Sequence, residues 1–223
     1  MNYIIVDFEM NPINKEHVEE RKTCRMEIIE IGAVVLDENL MVLGEFKTLV
    51  KPQYNTEILK RYETLTGITT GMVHSAPTFE TAYEMFVDWC ESYGEDYEVY
   101  AWSENDYMQL TSEMSLKNYA NHEKCRMLEK WYDFQKEYTE KLGLERALSL
   151  QKALFYAGLS FEGRAHDALY DAKNTAELFA IVRDEKRCQE VLRLVMEALK
   201  PKNICGTLGE LFDFSSLLAS AQS

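Results

Sequence analysis

Three short groups of residues carry side chains whose types and spacing could do chemistry together. In Asp7-Phe8-Glu9, two carboxylates flank one residue at the end of an apolar run. Side chains alternate along a strand, so both would project from the same side. Side by side they repel unless a cation separates them; the alternative is a solvated strand end. In Trp102-Ser103-Glu104-Asn105-Asp106, acids follow another apolar run and lead into a helical pattern. An acid placed there could hold a metal ion or simply cap the helix. The third group, residues 163–176, sets His166 five residues before Asp171. His166 falls at a loop-to-helix junction after Gly163, and Asp171 falls on the helix. A base on a loop and a metal ligand on a rigid helix would let the base move while the metal stays fixed. A lone histidine at such a junction is otherwise a cap or a satisfied surface group. His17, His74 and His122 have no comparable setting.

The elements that must position these groups can be read from the hydrophobic pattern. Residues 3–8, 27–36, 41–50, 97–102 and 128–133 read as strands. Asp37-Glu38-Asn39 between the second and third predicts an antiparallel hairpin. Residues 14–25 are charged and read as a loop or short surface helix. Helical spacing marks 56–64, with a turn at 65–69. Pro77 and Thr78 then open a helix in which Phe79, Ala82, Tyr83, Phe86, Val87 and Cys90 recur, and Gly94 ends it. Further helices are expected at 106–116, 138–143, 147–157, 168–182 and 188–199. Strands first, then strands alternating with helices, predict an α/β domain around a mixed sheet.

Composition narrows the function classes. The 223 residues are 46% hydrophobic and 28% charged, enough apolar material for one core and too much for intrinsic disorder. No apolar run approaches the roughly 18 residues of a membrane span, and no leader peptide is expected at the N-terminus. Cys24, Cys90, Cys125, Cys188 and Cys205 are scattered, with no Cys-x-x-Cys pair, so free thiols in a reducing cytoplasm are expected. The net charge of −14 argues against tight nonspecific binding to duplex nucleic acid. It leaves open an enzyme that meets phosphates through metal ions, because a carboxylate cluster that holds cations adds negative charge of its own.

Together, the three groups resemble the DEDDh subgroup of the DnaQ-like 3′→5′ exonuclease superfamily. Its pattern is Asp-x-Glu on the first strand, an Asp after the fourth, and His-x4-Asp at a late helix. Those positions are Asp7, Glu9, Asp106, His166 and Asp171 here. Glu27-Ile28-Ile29-Glu30-Ile31-Gly32-Ala33, Leu65-Thr66-Gly67-Ile68-Thr69, Ala76-Pro77-Thr78-Phe79 and Trp102-x3-Asp106-x3-Leu110 also match. The resemblance covers about residues 1–183 and is greatest to the Eri-type exoribonucleases and bacterial KapD-like proteins. The insert 11–26 and residues 199–223 lie outside it.

The resemblance implies an RNase H-like α/β fold, a mixed five-stranded sheet flanked by helices, with the second strand antiparallel. It implies an exonuclease domain over 1–199. The apolar tail 200–223 would pack on that domain, or dock a protein partner or a second copy. Two Mg²⁺ or Mn²⁺ ions would be held by Asp7, Glu9, Asp106 and Asp171, whose hard oxygens suit such cations. Asp7 would bridge the ions. Glu9 and Asp171 would serve the one that activates water, and Asp106 would act mainly through water around the other. Two ions roughly 4 Å apart can stabilise both the attacking and the leaving oxygen of an in-line displacement. His166 would take the proton from the attacking water, a task suited to a side chain that titrates near neutrality. The partner implied is the 3′ end of single-stranded RNA or DNA, and the products nucleoside 5′-monophosphates. Phe8, Met10, Thr66 and Ile68 would approach the terminal nucleotide, Ile68 being equally open to plain core packing. Two competing readings are a non-catalytic interaction module that keeps the fold, and a proofreading subunit that works beside a polymerase.

Overall fold

The second apolar run, Ile28 to Leu36, offers no polar face, and a strand of that kind belongs in the middle of a sheet. A computed structural model, describing residues 1–199, puts it there. β1 (Asn2–Pro12), β2 (Met26–Leu36), β3 (Val42–Leu49), β4 (Tyr97–Ala101) and β5 (Trp131–Asp133) form one sheet in the order β3-β2-β1-β4-β5. β2 runs antiparallel to both neighbours, while β1, β4 and β5 are parallel. The mixed five-stranded sheet and its antiparallel second strand agree with expectation. The hairpin also forms: the Asp37 carboxylate accepts the backbone N–H groups of Asn39 and Met41, both at 2.8 Å.

The helices are α1 (Glu20–Thr23), α2 (Lys60–Thr66), α3 (Thr70–His74), α4 (Phe79–Glu91), α5 (Glu104–Leu116), α6 (Phe134–Lys141), α7 (Leu150–Tyr156), α8 (Ala168–Arg183) and α9 (Glu185–Leu199). Thr78 caps α4, Ser103 caps α5 and Asp167 caps α8, each through its side-chain oxygen. Two layers cover the sheet. Ile5, Val34 and Leu36 face α7, α8 and α9, where Phe179, Leu178 and Val182 are buried. Ile4, Val6, Phe8 and Val35 face α4 and α5, against Tyr83, Phe86 and Leu110.

Several boundaries differ from the sequence pattern. β1 continues to Pro12 rather than ending at Phe8, because β2 goes on pairing with it as far as Pro12 opposite Met26. The register slips there: Glu9 faces Glu30 and Met10 faces Ile28, so Ile29 bulges out. Its side chain joins a small satellite core with Ile58, Ile68 and Val73. The helix expected over 56–64 forms only as α2, starting later. β5 shrinks to Trp131–Asp133 behind a 3₁₀ helix at Lys124–Lys130. Cys24, Cys90, Cys125 and Cys188 are free thiols, as expected. No helix among the described residues is long and apolar enough to cross a membrane. Cys205 and the tail 200–223, with the docking role read into it, lie outside the described residues.

Candidate active site

Strand geometry puts Asp7 and Glu9 on the face of β1 that α8 covers. How close α8 can come is decided by Gly32, which pairs with Asp7 on β2. A Cβ at Gly32 would lie 2.1 Å from the backbone nitrogen of Leu169 and 2.2 Å from the carbonyl carbon of Ala168. The first turn of α8 therefore lies directly on the strand, which brings Asp171 to Glu9. Glu30 holds the helix in place. Its buried carboxylate accepts the Ala168 N–H at 3.0 Å, and Lys47 bridges it at 3.3 Å to Asp167 at 2.6 Å.

Asp106 reaches the same point from the other layer. It sits in the first turn of α5, is 6% exposed, and its Oδ1 accepts the Phe8 N–H at 3.2 Å. That bond fixes the carboxylate against β1 between the two acids of the strand.

His166 lies on the loop before α8. Its N–H donates to Asp171 Oδ2 at 3.0 Å, and its φ is 62°, in the left-handed region that histidine enters more readily than most residues. The loop is tied down next to it. The Arg164 guanidinium donates to the carbonyls of Thr64 and Leu65, at 2.8 and 3.2 Å, at the end of α2. It occupies the space of a Cβ at Gly67, which would come 2.0 Å from Arg164 Nη1. Ligand atoms of Glu9, His166 and Asp171 come within 4.8 Å of one another. A cavity of about 300 Å³ opens over them, lined also by Asp7, Phe8 and Trp102.

The electrostatics are those of like charges crowded out of water. Burial raises the Asp7 carboxyl well above its usual range, and Asp106, Asp171 and Glu9 raise it further. Burial, then Asp171 and Glu30, push Glu9 up to about 8. Asp106 and Asp171 are raised chiefly by burial too, each partly relieved by the backbone N–H it accepts. Lys47 compensates Glu30 and Asp167 at the margin and leaves the central acids to one another. Crowded carboxylates of this kind, with hard oxygens directed at one space, suit a divalent cation such as Mg²⁺ or Mn²⁺.

All five residues of the sequence pattern thus converge. Of the four expected substrate contacts, only Phe8 joins them. Phe8 lines the cavity, but Met10 points into a neighbouring groove beside α5. Thr66 is 5% exposed, donates to the Tyr62 carbonyl and accepts the Ile68 N–H. Ile68 is 2% exposed in the satellite core, the plainer of its two readings. Neither lines the cavity, because the turn they belong to folds inward onto Ile29. Sequence reasoning assigned no role to Glu30, Gly32 or Arg164. The signal for the first two lay in the Glu30-Ile31-Gly32 segment, but their role depends on a helix far along the chain.

Known proteins resemble this chain in sequence and in fold. The family model described as Exonuclease (RNase_T) matches residues 4–179. The chain is 27% identical over 161 residues to the human protein named 3'-5' exoribonuclease 1, covering 68% of this chain and 45% of that one. It is 32% identical over 196 residues to ERI1 exoribonuclease 2 of Danio rerio, covering 78% and 34%. The chain spans about half the length, or less, of these relatives. Among solved structures, the nuclease domain of 3'hExo, a DEDDh family member bound to rAMP, superposes with a TM-score of 0.72 at 25% identity. The match covers 82% of this chain and 92% of that domain. The mixed sheet flanked by helices is the RNase H-like arrangement of these nucleases.

Proposed function

The chain belongs to the exonuclease family, in its DEDDh, Eri-type branch, and from that membership we propose that it removes nucleotides from the 3′ end of single-stranded RNA or DNA. The observation that carries this reading is the meeting of Glu9, His166 and Asp171, with Asp7 and Asp106 beside them, under one cavity. Asp7, Glu9, Asp106 and Asp171 would hold two Mg²⁺ or Mn²⁺ ions. When bound, the ions supply charge for the phosphate oxygens and ease deprotonation of water.

The chain's own residues do the rest. The Asp171 carboxylate, by accepting the His166 N–H, sets the loop so that the imidazole borders the same space as the acids. His166 takes the proton from the water that attacks the terminal phosphodiester. The water oxygen bonds to phosphorus as the bond from phosphorus to the upstream 3′ oxygen breaks; that oxygen takes a proton from solvent to become the new 3′ hydroxyl, and the nucleoside 5′-monophosphate is released. Phe8 offers an apolar edge for the terminal nucleotide, which suits sequence-tolerant binding. An end group rather than a duplex track fits a chain of net charge −14.

The test uses purified protein with 5′-labelled RNA and DNA oligonucleotides of one sequence. With Mg²⁺ or Mn²⁺, a ladder shortening from the 3′ end and release of 5′-mononucleotides are expected, with loss in EDTA and return on metal addition. A closed circular single strand should survive. Rapid cutting of the circle, or full hydrolysis in chelator, would contradict the reading.

A further inference from the structure

A groove of about 460 Å³ opens next to the candidate active site, between the insert 11–26 and α5. Arg21, Lys22 and Arg25 line one wall, Asn105 and Met108 the other, with Met10 where it nears the site; no carboxylate lines it. Met10 and Asn105 are the chain neighbours of Glu9 and Asp106, so the groove begins where the carboxylates end. Lys22 and Arg25 are exposed, and Met108 is 55% exposed.

The insert that carries these cations is anchored. Arg21 donates to the Ile13 carbonyl, and the Ile13 N–H donates to the Arg25 carbonyl at 3.0 Å. Lys22 also faces Glu19 at 2.7 Å, which leaves Arg25 the stronger of the two as an anion partner.

Charge selects this groove among the cavities around the site. The cleft beside α7, with Gln151, Phe155 and Phe161, has no charged residue. The one between α5 and α6 sets Glu104, Asp133, Glu137 and Glu140 against Lys136. A polyanion bound at its 3′ end must lead its remaining phosphates away over a protein of net charge −14. Of these three paths, only the α1–α5 groove is lined by cations and by no acid, the nearby Glu19 offsetting Lys22 but not Arg25.

We propose that the strand upstream of the scissile phosphate lies in this groove, with phosphates paired to Lys22 and Arg25 and a base or sugar against Met10 and Met108. The inference rests on the exonuclease reading of the adjoining site. It makes the protein length-selective: a single strand long enough to reach α1 is bound better than a dinucleotide.

The experiment compares the parent with the Lys22→Glu, Arg25→Glu double variant, and with Lys22→Ala, Arg25→Ala as a milder pair. Hydrolysis in Mn²⁺ is followed on a long oligouridylate, a uridine dinucleotide and the p-nitrophenyl ester of thymidine 5′-monophosphate. Binding of the long, 5′-fluorescein-labelled strand is read by anisotropy in Ca²⁺, on an Asp7→Asn background, across a salt series. Charge reversal should raise Kd and KM for the long strand by about tenfold or more. It should flatten the salt dependence of log K by about 0.7 for each phosphate that is no longer neutralised. Turnover of the dinucleotide and the ester should not change. Equal affinity and equal salt slope in parent and variant would overturn the proposal, and so would a matching loss on the ester. A parent inert towards all three substrates, whose binding still depends on Lys22 and Arg25, would count against the exonuclease reading alone. A parent that neither binds nor degrades them overturns both.

Discussion

His166 holds a left-handed backbone conformation, φ 62°, on an exposed loop, and its N–H is spent on the carboxylate it works beside. That arrangement separates two roles that one substitution can tell apart. His166→Ala keeps the backbone N–H and all four carboxylates, so fold and metal binding should survive while the rate drops by about 10²–10⁴, the usual worth of a positioned base. Melting temperature and Mn²⁺-saturated rate measured on one preparation decide it; a stable variant with near-normal turnover would leave His166 a structural role only. Asp7→Asn tests the other half of the site. Asp7 is pressed by burial and by Asp106, Asp171 and Glu9, so losing its charge should abolish activity yet raise the melting temperature in chelator. A fall in that melting temperature would contradict the repulsion argument.

Among the elements, α8 carries Asp171, and its seat on β2 leaves no room for a side chain at Gly32. A methyl group at Gly32 meets backbone atoms of Ala168 and Leu169 at 2.1–2.6 Å, which no side-chain rotation can relieve. Gly32→Ala should therefore push α8 off the sheet, cost about 1–3 kcal/mol as overpacking does, and reduce turnover out of proportion by moving Asp171 from Glu9. Gly71→Ala is the matched control. Its Cβ would find its nearest neighbour at 3.9 Å, within helix α3, so stability should hold or rise by about 0.5–1 kcal/mol. Thermal melts and steady-state rates on the two variants make the comparison; a Gly32→Ala protein as active as the control would mean that α8 has more freedom than its packing shows.

At the scale of the whole molecule, the acid cluster makes stability depend on pH and on cations together. The folded-state pKa values of Asp7, Glu9, Asp106 and Asp171 are all raised, Glu9 to about 8. Between the unfolded value near 4 and the raised one, the folded chain binds more protons than the unfolded chain. Stability therefore falls as pH rises through that window. In EDTA the melting temperature should decline from about pH 5 to about pH 8. Mn²⁺ should restore it, by an increment that grows with pH, because the ion takes the place of the protons that are lost. A metal-free protein whose melting temperature rises over this range would contradict the cluster's electrostatics.

From the sequence, resemblance to the DEDDh pattern picks out the five residues of the site, and the hydrophobic pattern gives the five strands, most of the helices and the mixed sheet, but not α3. Local rules support that reading: period-two alternation places Asp7 with Glu9, and the loop-to-helix junction places His166 ahead of Asp171. Thr78 marks the start of α4 by its capping chemistry, whereas the caps Ser103 and Asp167 of α5 and α8 emerge only in the structure. Tertiary structure alone decided what surrounds them. Ile68 reads as an apolar residue in a turn and becomes core only because Ile29 bulges from β2 to meet it. Glu30 reads as one more strand acid, yet its carboxylate receives an N–H from a helix 138 residues away. Gly32 has no assigned role in the sequence until α8 is laid across it. Burial and close approach are relations between segments remote in sequence, and no spacing within either segment contains them.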